Sequence, residues 1–352
     1  MARRTVSIKD VAAASGVSIA TVSNVLNNRR FVSEELKQRV YKAVDELEYT
    51  VNPIARSMRA SKSFAVGVVV LDLNCIFFAP MLKGIQKVMS RAGYSVIMYD
   101  SNYSMELEMK YSRMLANSMV DGIILAGIST EENSMFYSSL RSSTGRSMLP
   151  IISIENNLSD IGIDSVYIDN EKASYTATSH MIELGCKRIA HIKAPQTTTS
   201  NSARLRGYRK ALMDSGLECD PSLELDGDFS AASGYQAALR LIRAGKNFDG
   251  IFAANDQMAV GAMRALHNYN INIPGEVKIV GFDNTFVASI MDPALTTIRV
   301  PNYQMGVSAA QCLLRRIQNP QEKVSSIQME YELIIRRSTM ASAQTNWDMV
   351  YW

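Results

Sequence analysis

Residues 7–27 read SIKDVAAASGVSIATVSNVLN, and this stretch decides how the rest of the chain is to be understood. Ile8, Val11 and Ala12 recur at helical spacing. So do Val22, Val25 and Leu26. Between the two runs lies Ser15-Gly16-Val17-Ser18. Gly16 lets the backbone turn where a side chain would obstruct it. Ser18 is placed to cap a second helix by accepting a bond from an unpaired N–H. Two short helices around a tight turn form the DNA-reading helix-turn-helix, whose second helix enters the major groove. An ordinary αα-hairpin has the same local pattern, so the remainder of the chain must decide between them.

Immediately downstream, Phe31 to Tyr49 reads as a third helix. Ser33 is its expected N-cap, acidic residues occupy the first turn, and Val40, Val44 and Leu47 recur at helical spacing. Residues 52–59, NPIARSMR, suit a short helix because proline fits a first turn. Residues 60–63 read as a linker. Within residues 1–63 there are 11 Lys/Arg and 6 Asp/Glu; the remaining residues carry 26 and 28. A basic head on a near-neutral body points to a polyanion partner for the head alone, although many solvated helices are basic without a partner.

From Phe64 the pattern becomes strand, helix, strand. Expected strands cover residues 65–71, 94–99, 120–125 and 149–154, and a second set covers 165–169, 188–193, 248–254 and 277–282. Such near-continuous apolar runs suit parallel strands buried on both faces. The echo between VDGII (120–124) and FDGIF (248–252) suggests two similar doubly wound halves. Another strand, a helix over 304–317 and a last strand over 327–335 complete the body and cross between the halves. The tail, 341–352, has two tryptophans and no heptads.

A chain of 352 residues accommodates two or three domains. No apolar run reaches the roughly 18–20 residues of a membrane span. The first residues, MARRT, precede no apolar h-region, so no signal peptide is expected. Cys75, Cys186, Cys219 and Cys312 are widely spaced, which favours a reducing cytoplasm over a disulfide framework or a zinc site.

Several motifs occur in order: IKDVAAASGVS (8–18), ATVSNVLN (20–27), VSEE (32–35), Tyr49 followed by NPIARSMR (52–59), ANDQMAVGA (254–262), IVGFDN (279–284) and PALTTI (293–298). On these the chain resembles the lactose repressor/galactose repressor (LacI/GalR) family of bacterial transcription regulators over residues 6–340. The resemblance implies an all-α, lambda-repressor-like head over 1–50, a hinge helix and linker over 51–63, and an effector-binding and dimerisation body over 64–340. That body is an α/β, two-lobed, periplasmic-binding-protein-like fold with doubly wound parallel sheets. The first lobe is expected at about 64–160 plus 291–324, and the second at about 161–290 plus 325–340.

The family's base-reading positions match Ile19, Ala20 and Asn24. Asn24 stands where relatives often carry Arg or His, and an Asn pairs bidentately with adenine rather than guanine. Ile19 and Ala20 offer apolar contacts such as a thymine methyl; hairpin core competes with that role, more strongly for Ile19. Ser7, Ser18, Thr21, Ser23, Asn27 and Arg30 are candidates for phosphate contacts, which position without specifying. Arg29 is a further one. In the hinge, Asn52, Ala55, Arg56 and Met58 match minor-groove positions, with Met58 as the wedge that kinks a central step. Pro-Asn is the usual order there, whereas this chain has Val51-Asn52-Pro53. A homodimer on a pseudo-palindromic double-stranded operator follows from the resemblance, and the lack of C-terminal heptads favours dimer over tetramer.

Ligands of open α/β sheets bind beyond the carboxyl ends of the strands. Phe77, Phe78, Arg204, Phe229, Asn255 and Asp283 fall there, a set that offers flat apolar walls with paired donors and acceptors for a sugar or a related ring. For the phenylalanines core packing competes evenly. In the family the positions of Arg204, Asn255 and Asp283 contact effector. Asp256 reads as a helix cap. Cys75-Ile76 replaces an Asn-Pro pair common in relatives, which removes an amide contact. The histidines 180, 191 and 267 are scattered, and no phosphate loop or nucleophile elbow occurs. The chain therefore reads as a regulator rather than an enzyme, with no cofactor or metal. Two alternatives stand beside a sugar-controlled repressor. One is a catabolite-control type with a phosphorylated protein corepressor, suggested by residues 282–285 and Tyr303. The other is a plain cytoplasmic sugar-binding protein.

Overall fold

The computed structural model describes residues 6–27, 31–49, 62–118, 120–127, 131–142, 149–195, 198–344 and 347. The hinge positions Asn52, Ala55, Arg56 and Met58, together with Arg29 and Arg30, lie outside the described residues. The chain divides into two compact units, residues 1–64 and 65–352.

The first unit contains three helices, α1 (Ile8–Ser15), α2 (Ile19–Asn27) and α3 (Glu34–Glu46). The expected stripes meet in its core: Val11, Ala12, Val22, Val25 and Val40 are buried, while Ile8, Leu26, Val44 and Leu47 are partly buried against them; Ala43 and Val32 complete the core. Gly16 is left-handed at φ 64°, ending α1. Ser18 Oγ accepts the Thr21 amide at 3.1 Å, so the expected cap on α2 is present. Ser33 precedes α3 without making a side-chain cap bond. No local pattern points to Arg39. Its guanidinium reaches from α3 to donate to the Ser15 carbonyl at 2.8 Å, satisfying the C-terminus of α1.

The second unit contains two six-stranded sheets. The first has the order β11-β5-β4-β3-β1-β2 and the second β12-β10-β9-β8-β6-β7. The first sheet comprises β1 (Ala65–Val70), β2 (Ser95–Asp100), β3 (Ile123–Ala126), β4 (Ile151–Ile154), β5 (Asp164–Ile168) and β11 (Ser326–Met329). The second comprises β6 (Ile189–Lys193), β7 (Glu224–Asp226), β8 (Gly250–Ala253), β9 (Lys278–Asp283), β10 (Thr296–Arg299) and β12 (Glu332–Ile334). Every pairing is parallel except β10 with β12. The two orders are the same, which accounts for the sequence echo: β3 and β8 occupy equivalent central places.

Three assignments shift relative to the sequence reading. Residues 164–168 pair with β4 and belong to the first sheet, not the second. The segment 296–299 pairs with β9 in the second sheet, and 326–329 pairs with β5 in the first, the reverse of the expected lobe limits. The single strand expected at 327–335 is two strands, one in each sheet, because the chain crosses between lobes at residues 330–331. Period and composition give a strand's existence but not its sheet, which is fixed by pairing. β7 is three residues long, too short for a pattern to register.

Helices flank both sheets. In the first lobe these are α4 (Phe78–Arg91), α5 (Met105–Asn117), α6 (Glu131–Ser142) and, returning late in the chain, α12 (Asn302–Gln318). The second lobe has α7 (Asn170–Glu183), α8 (Thr199–Asp214), α9 (Ala231–Arg243), α10 (Asp256–Asn268) and the short α11 (Phe286–Ile290). The chain crosses between lobes three times, from β5 to α7, from β10 to α12 and from β11 to β12.

Helices α9 and α10 meet through reciprocal glycines. A Cβ on Gly234 would strike the Met258 backbone, and one on Gly261 would strike the Ala231 carbonyl. Backbone cannot yield as a flexible side chain does, so overpacking here is costly. Gly261→Ala is expected to destabilise by about 3 kcal/mol, read as a lowered urea midpoint; an unchanged midpoint would contradict this packing.

Candidate effector cleft and DNA-reading face

In the head, α2 presents two faces. Val22 and Val25 are buried, whereas Ile19 is 41% exposed, Ala20 is exposed and Asn24 is half-buried. Hairpin core therefore does not account for Ile19: an isoleucine left in solvent at the first turn of α2 is available to an apolar partner. Ser7 and Ser18 are engaged locally. The Ser7 amide and hydroxyl both donate to Asp10, at 2.8 and 2.6 Å. Ser18 Oγ also shares a bond with Thr21 Oγ1 at 2.9 Å. Thr21 and Ser23 are half-buried. The side chain of Asn27 lies outside the described residues.

In the body, residues at the carboxyl ends of six strands converge on one cavity. Leu71, Cys75, Phe77 and Phe78 follow β1, Tyr103 follows β2 and Glu155 follows β4. From the other lobe come Thr198, Ser200, Asn201 and Arg204 after β6, Phe229 after β7, and Asp283 ending β9. Of the expected residues, Phe77, Phe78, Arg204, Phe229 and Asp283 are thus brought together.

Arg204 sits on α8 and is almost wholly buried. Its Nε donates to Asn170 Oδ1 at 2.9 Å and its Nη1 to the Ala254 carbonyl at 2.7 Å. The guanidinium stacks 3.9 Å from the centre of the Phe282 ring. Two carboxylates face it, Glu155 at 3.8 Å and Asp283 at 4.0 Å. Burial pushes both carboxyls above the usual range, and the positive charge of Arg204 only partly offsets it. Asp283 is raised further by neighbouring Asp256 and Glu155.

Asn255 has a different place. Its Oδ1 caps α10 by accepting the Met258 amide at 2.9 Å, and its Nδ2 donates to the Phe229 carbonyl at 3.0 Å. Both ends of the amide are engaged, and it is absent from the cavity wall, so in this closed state it positions Phe229. Asp256 is not the cap. It is fully buried and accepts from the Thr285 amide and the Thr297 hydroxyl, both at 2.6 Å. Phe77 and Phe78 satisfy both readings offered by the sequence, being buried in the apolar core and lining the cavity.

Glu155 and Tyr103 were missed by the sequence reading. Glu155 directly follows a strand, which is where the carboxyl-end rule directs attention; residue 103 lies beyond a turn that hid it. Backbone geometry also marks the site. Tyr103 (φ 55°), Glu155 (72°), Phe229 (70°) and Asp283 (107°) all adopt the left-handed half of conformational space. Non-glycine residues there are strained by roughly 1–3 kcal/mol each and cluster where function demands them.

The cleft is closed. Its cavity volume is about 30 Å³, far below what a sugar-sized ligand needs. Tyr103 stacks on Phe229 across it, with ring centres 5.4 Å apart and an interplanar angle of 15°. The Thr199 hydroxyl donates to Asn156 Oδ1 at 2.8 Å, and the Ile76 amide donates to Gln257 Oε1 at 3.2 Å, each joining the lobes.

A helix-turn-helix unit followed by a two-lobed ligand cleft defines a ligand-controlled DNA-binding regulator. Comparison with known proteins bears this out. A model described as bacterial regulatory proteins, lacI family, matches residues 7–52, and a periplasmic binding protein-like domain model matches residues 178–339. The HTH-type transcriptional regulator RegA of Clostridium saccharobutylicum is 34% identical over 335 residues, spanning 95% of this chain and 99% of its own. A crystal structure of the lac repressor dimer bound to operator and the anti-inducer ONPF superposes with a TM-score of 0.84 at 26% identity, covering 96% of this chain and 99% of its own. A complex of the transcriptional regulator CelR with cellobiose gives a TM-score of 0.70 at 29% identity, covering 95% and 99%. The chain belongs to the LacI family of bacterial transcriptional regulators. No helix among the described residues is long and apolar enough to cross a membrane.

The raised carboxyl of Glu155 has a consequence for stability. A carboxyl whose folded value lies above its unfolded one stabilises the fold while protonated, and that contribution is lost as pH rises through the raised value. Glu155→Gln removes the ionisation. Its melting temperature is expected to exceed that of the parent by an amount that grows as pH rises above the ordinary carboxylate range, at about 2–4 °C per kcal/mol. A gap independent of pH, followed by calorimetry, would refute the burial argument.

Proposed function

We propose that the protein is a homodimeric repressor that binds a pseudo-palindromic operator and is controlled by a sugar or sugar derivative held between its lobes. The observation that carries the effector reading is the cavity itself: aromatic rings, hydroxyls, an amide, two carboxylates and a guanidinium converge at the carboxyl ends of both sheets. Flat apolar walls with paired donors and acceptors suit a hydroxylated ring. The bound cellobiose and the operator-bound dimer of the two structural relatives support the ligand class and the assembly.

In this reading Arg204 and Asp283 anchor hydroxyls, Phe229 and Tyr103 cover the ring faces, and Phe77 and Phe78 form the floor. Since the closed cleft is too small for a sugar, the lobes part about the three crossings for a ligand to enter. The effector acts as a switch by binding the open and closed arrangements unequally; equal affinity would shift nothing, however tight. Residues 51–63 then transmit the change as a hinge, with Met58 as the minor-groove wedge. Ile19, Ala20 and Asn24 read base edges. Ser7, Ser18, Thr21, Ser23, Asn27 and Arg30 serve phosphate contacts in this reading, Ser7 and Ser18 chiefly through the helix ends they order.

Two measurements test this. Anisotropy of labelled genomic fragments is expected to show salt-dependent binding by the full chain, lost on deletion of residues 1–63. Ligand-induced thermal stabilisation should survive that deletion. A full chain that binds no fragment would overturn the regulator's proposed operator. Asn24→Ala should re-rank operator variants at one half-site position by about 1–3 kcal/mol. An unaltered ranking would exclude base reading by Asn24.

A further inference from the structure

The charges lining the cleft do not balance. Glu155 and Asp283 are ionisable acids with side chains 14% and 6% exposed, and Arg204 is the one lining cation among the described residues. That guanidinium is already engaged by Asn170 and the Ala254 carbonyl, and its distances of 3.8 and 4.0 Å to the carboxylates exceed hydrogen-bond range. No hydrogen bond reaches either carboxylate from any described residue. Carboxylates that no protein donor reaches take their hydrogen bonds from whatever enters the cavity. Asp72 adds further negative potential, felt at Cys75 and Tyr103. The Tyr103, Phe229 and Phe78 rings also line the cavity and offer faces that attract a cation.

We propose that the effector is a polyol carrying one ammonium group, an amino sugar or a close analogue, with the ammonium seated between Glu155 and Asp283. This rests on the sugar-class reading above and narrows it. An ammonium supplies three donors and the missing positive charge together. A neutral hydroxyl supplies donors alone and leaves one carboxylate to be protonated. A sugar phosphate brings a second negative charge to an acidic cavity and is rejected.

The test uses the full chain and matched triplets: glucosamine, glucose and N-acetylglucosamine, and the corresponding galactose and mannose series, with glucose 6-phosphate as the anionic probe. Titration calorimetry is expected to show, in at least one triplet, an amine bound tenfold or more tighter than both its neutral and its acetylated partners. Its affinity should rise with pH as the two raised carboxyls lose their protons. Glu155→Gln should bring the amine-to-neutral ratio within that triplet toward one. A neutral sugar bound as tightly as its amine, or a ratio unmoved in the variant, overturns the ammonium proposal and leaves the sugar reading standing. Silence from every member overturns both.

Discussion

The buried guanidinium of Arg204 is the interaction on which the body depends. It lies where one inter-lobe crossing enters the second lobe, bonded to Asn170, the first residue of α7, and to the carbonyl that follows β8. It stacks on Phe282 of β9 and faces Glu155 of the other lobe. A cation this deep is tolerable only where acceptors and opposite charges surround it. The second lobe supplies most of them; the first supplies one carboxylate, at a distance that leaves it incompletely paired. At the cleft this attraction joins the lobes beside the aromatic contact of Tyr103 with Phe229, and a ligand can replace both.

That arrangement explains why the strained residues lie where they do. Tyr103, Glu155, Phe229 and Asp283 each follow or end a strand, at the point where an open sheet must hand its chain to a loop. A left-handed backbone at that point accompanies side chains that line the cavity. The surrounding sheets, buried on both faces and locked by helix pairs such as α9 and α10, hold those conformations in place. Stability elsewhere in each lobe maintains local strain at the site.

Much of this was legible in the chain. The head was readable because its apolar stripes, turn glycine and cap lie within twenty-one residues, where local physics decides the outcome. The strands were readable from their apolar runs. What escaped depends on long-range pairing. Residues 164–168 look alike whichever sheet they join, and only the hydrogen bonds of β5 to β4 and β11 settle it. Asn255 shows the same limit at the level of a side chain. Its position beyond a strand end suggested a ligand contact, but a residue before a helix also meets unpaired amides, and here the cap takes its carbonyl. Ile19 errs in the other direction, since an isoleucine in an amphipathic helix is core by default and only the observed exposure removes that reading.

The closed cleft sets the terms of control. Its lobes meet through Tyr103 on Phe229, Thr199 on Asn156 and Gln257 on Ile76. A ligand that enters must separate aromatic faces that pack on each other. The favourable term that remains available to it is electrostatic: two carboxylates that the protein leaves without donors. In the proposed reading, the free-energy difference between open and closed arrangements hangs on how well the incoming molecule answers Glu155 and Asp283. Affinity and switching are consequently carried by the same pair of groups. Effectors of equal size and different donor pattern should differ in how far they shift the lobes as well as in how tightly they bind.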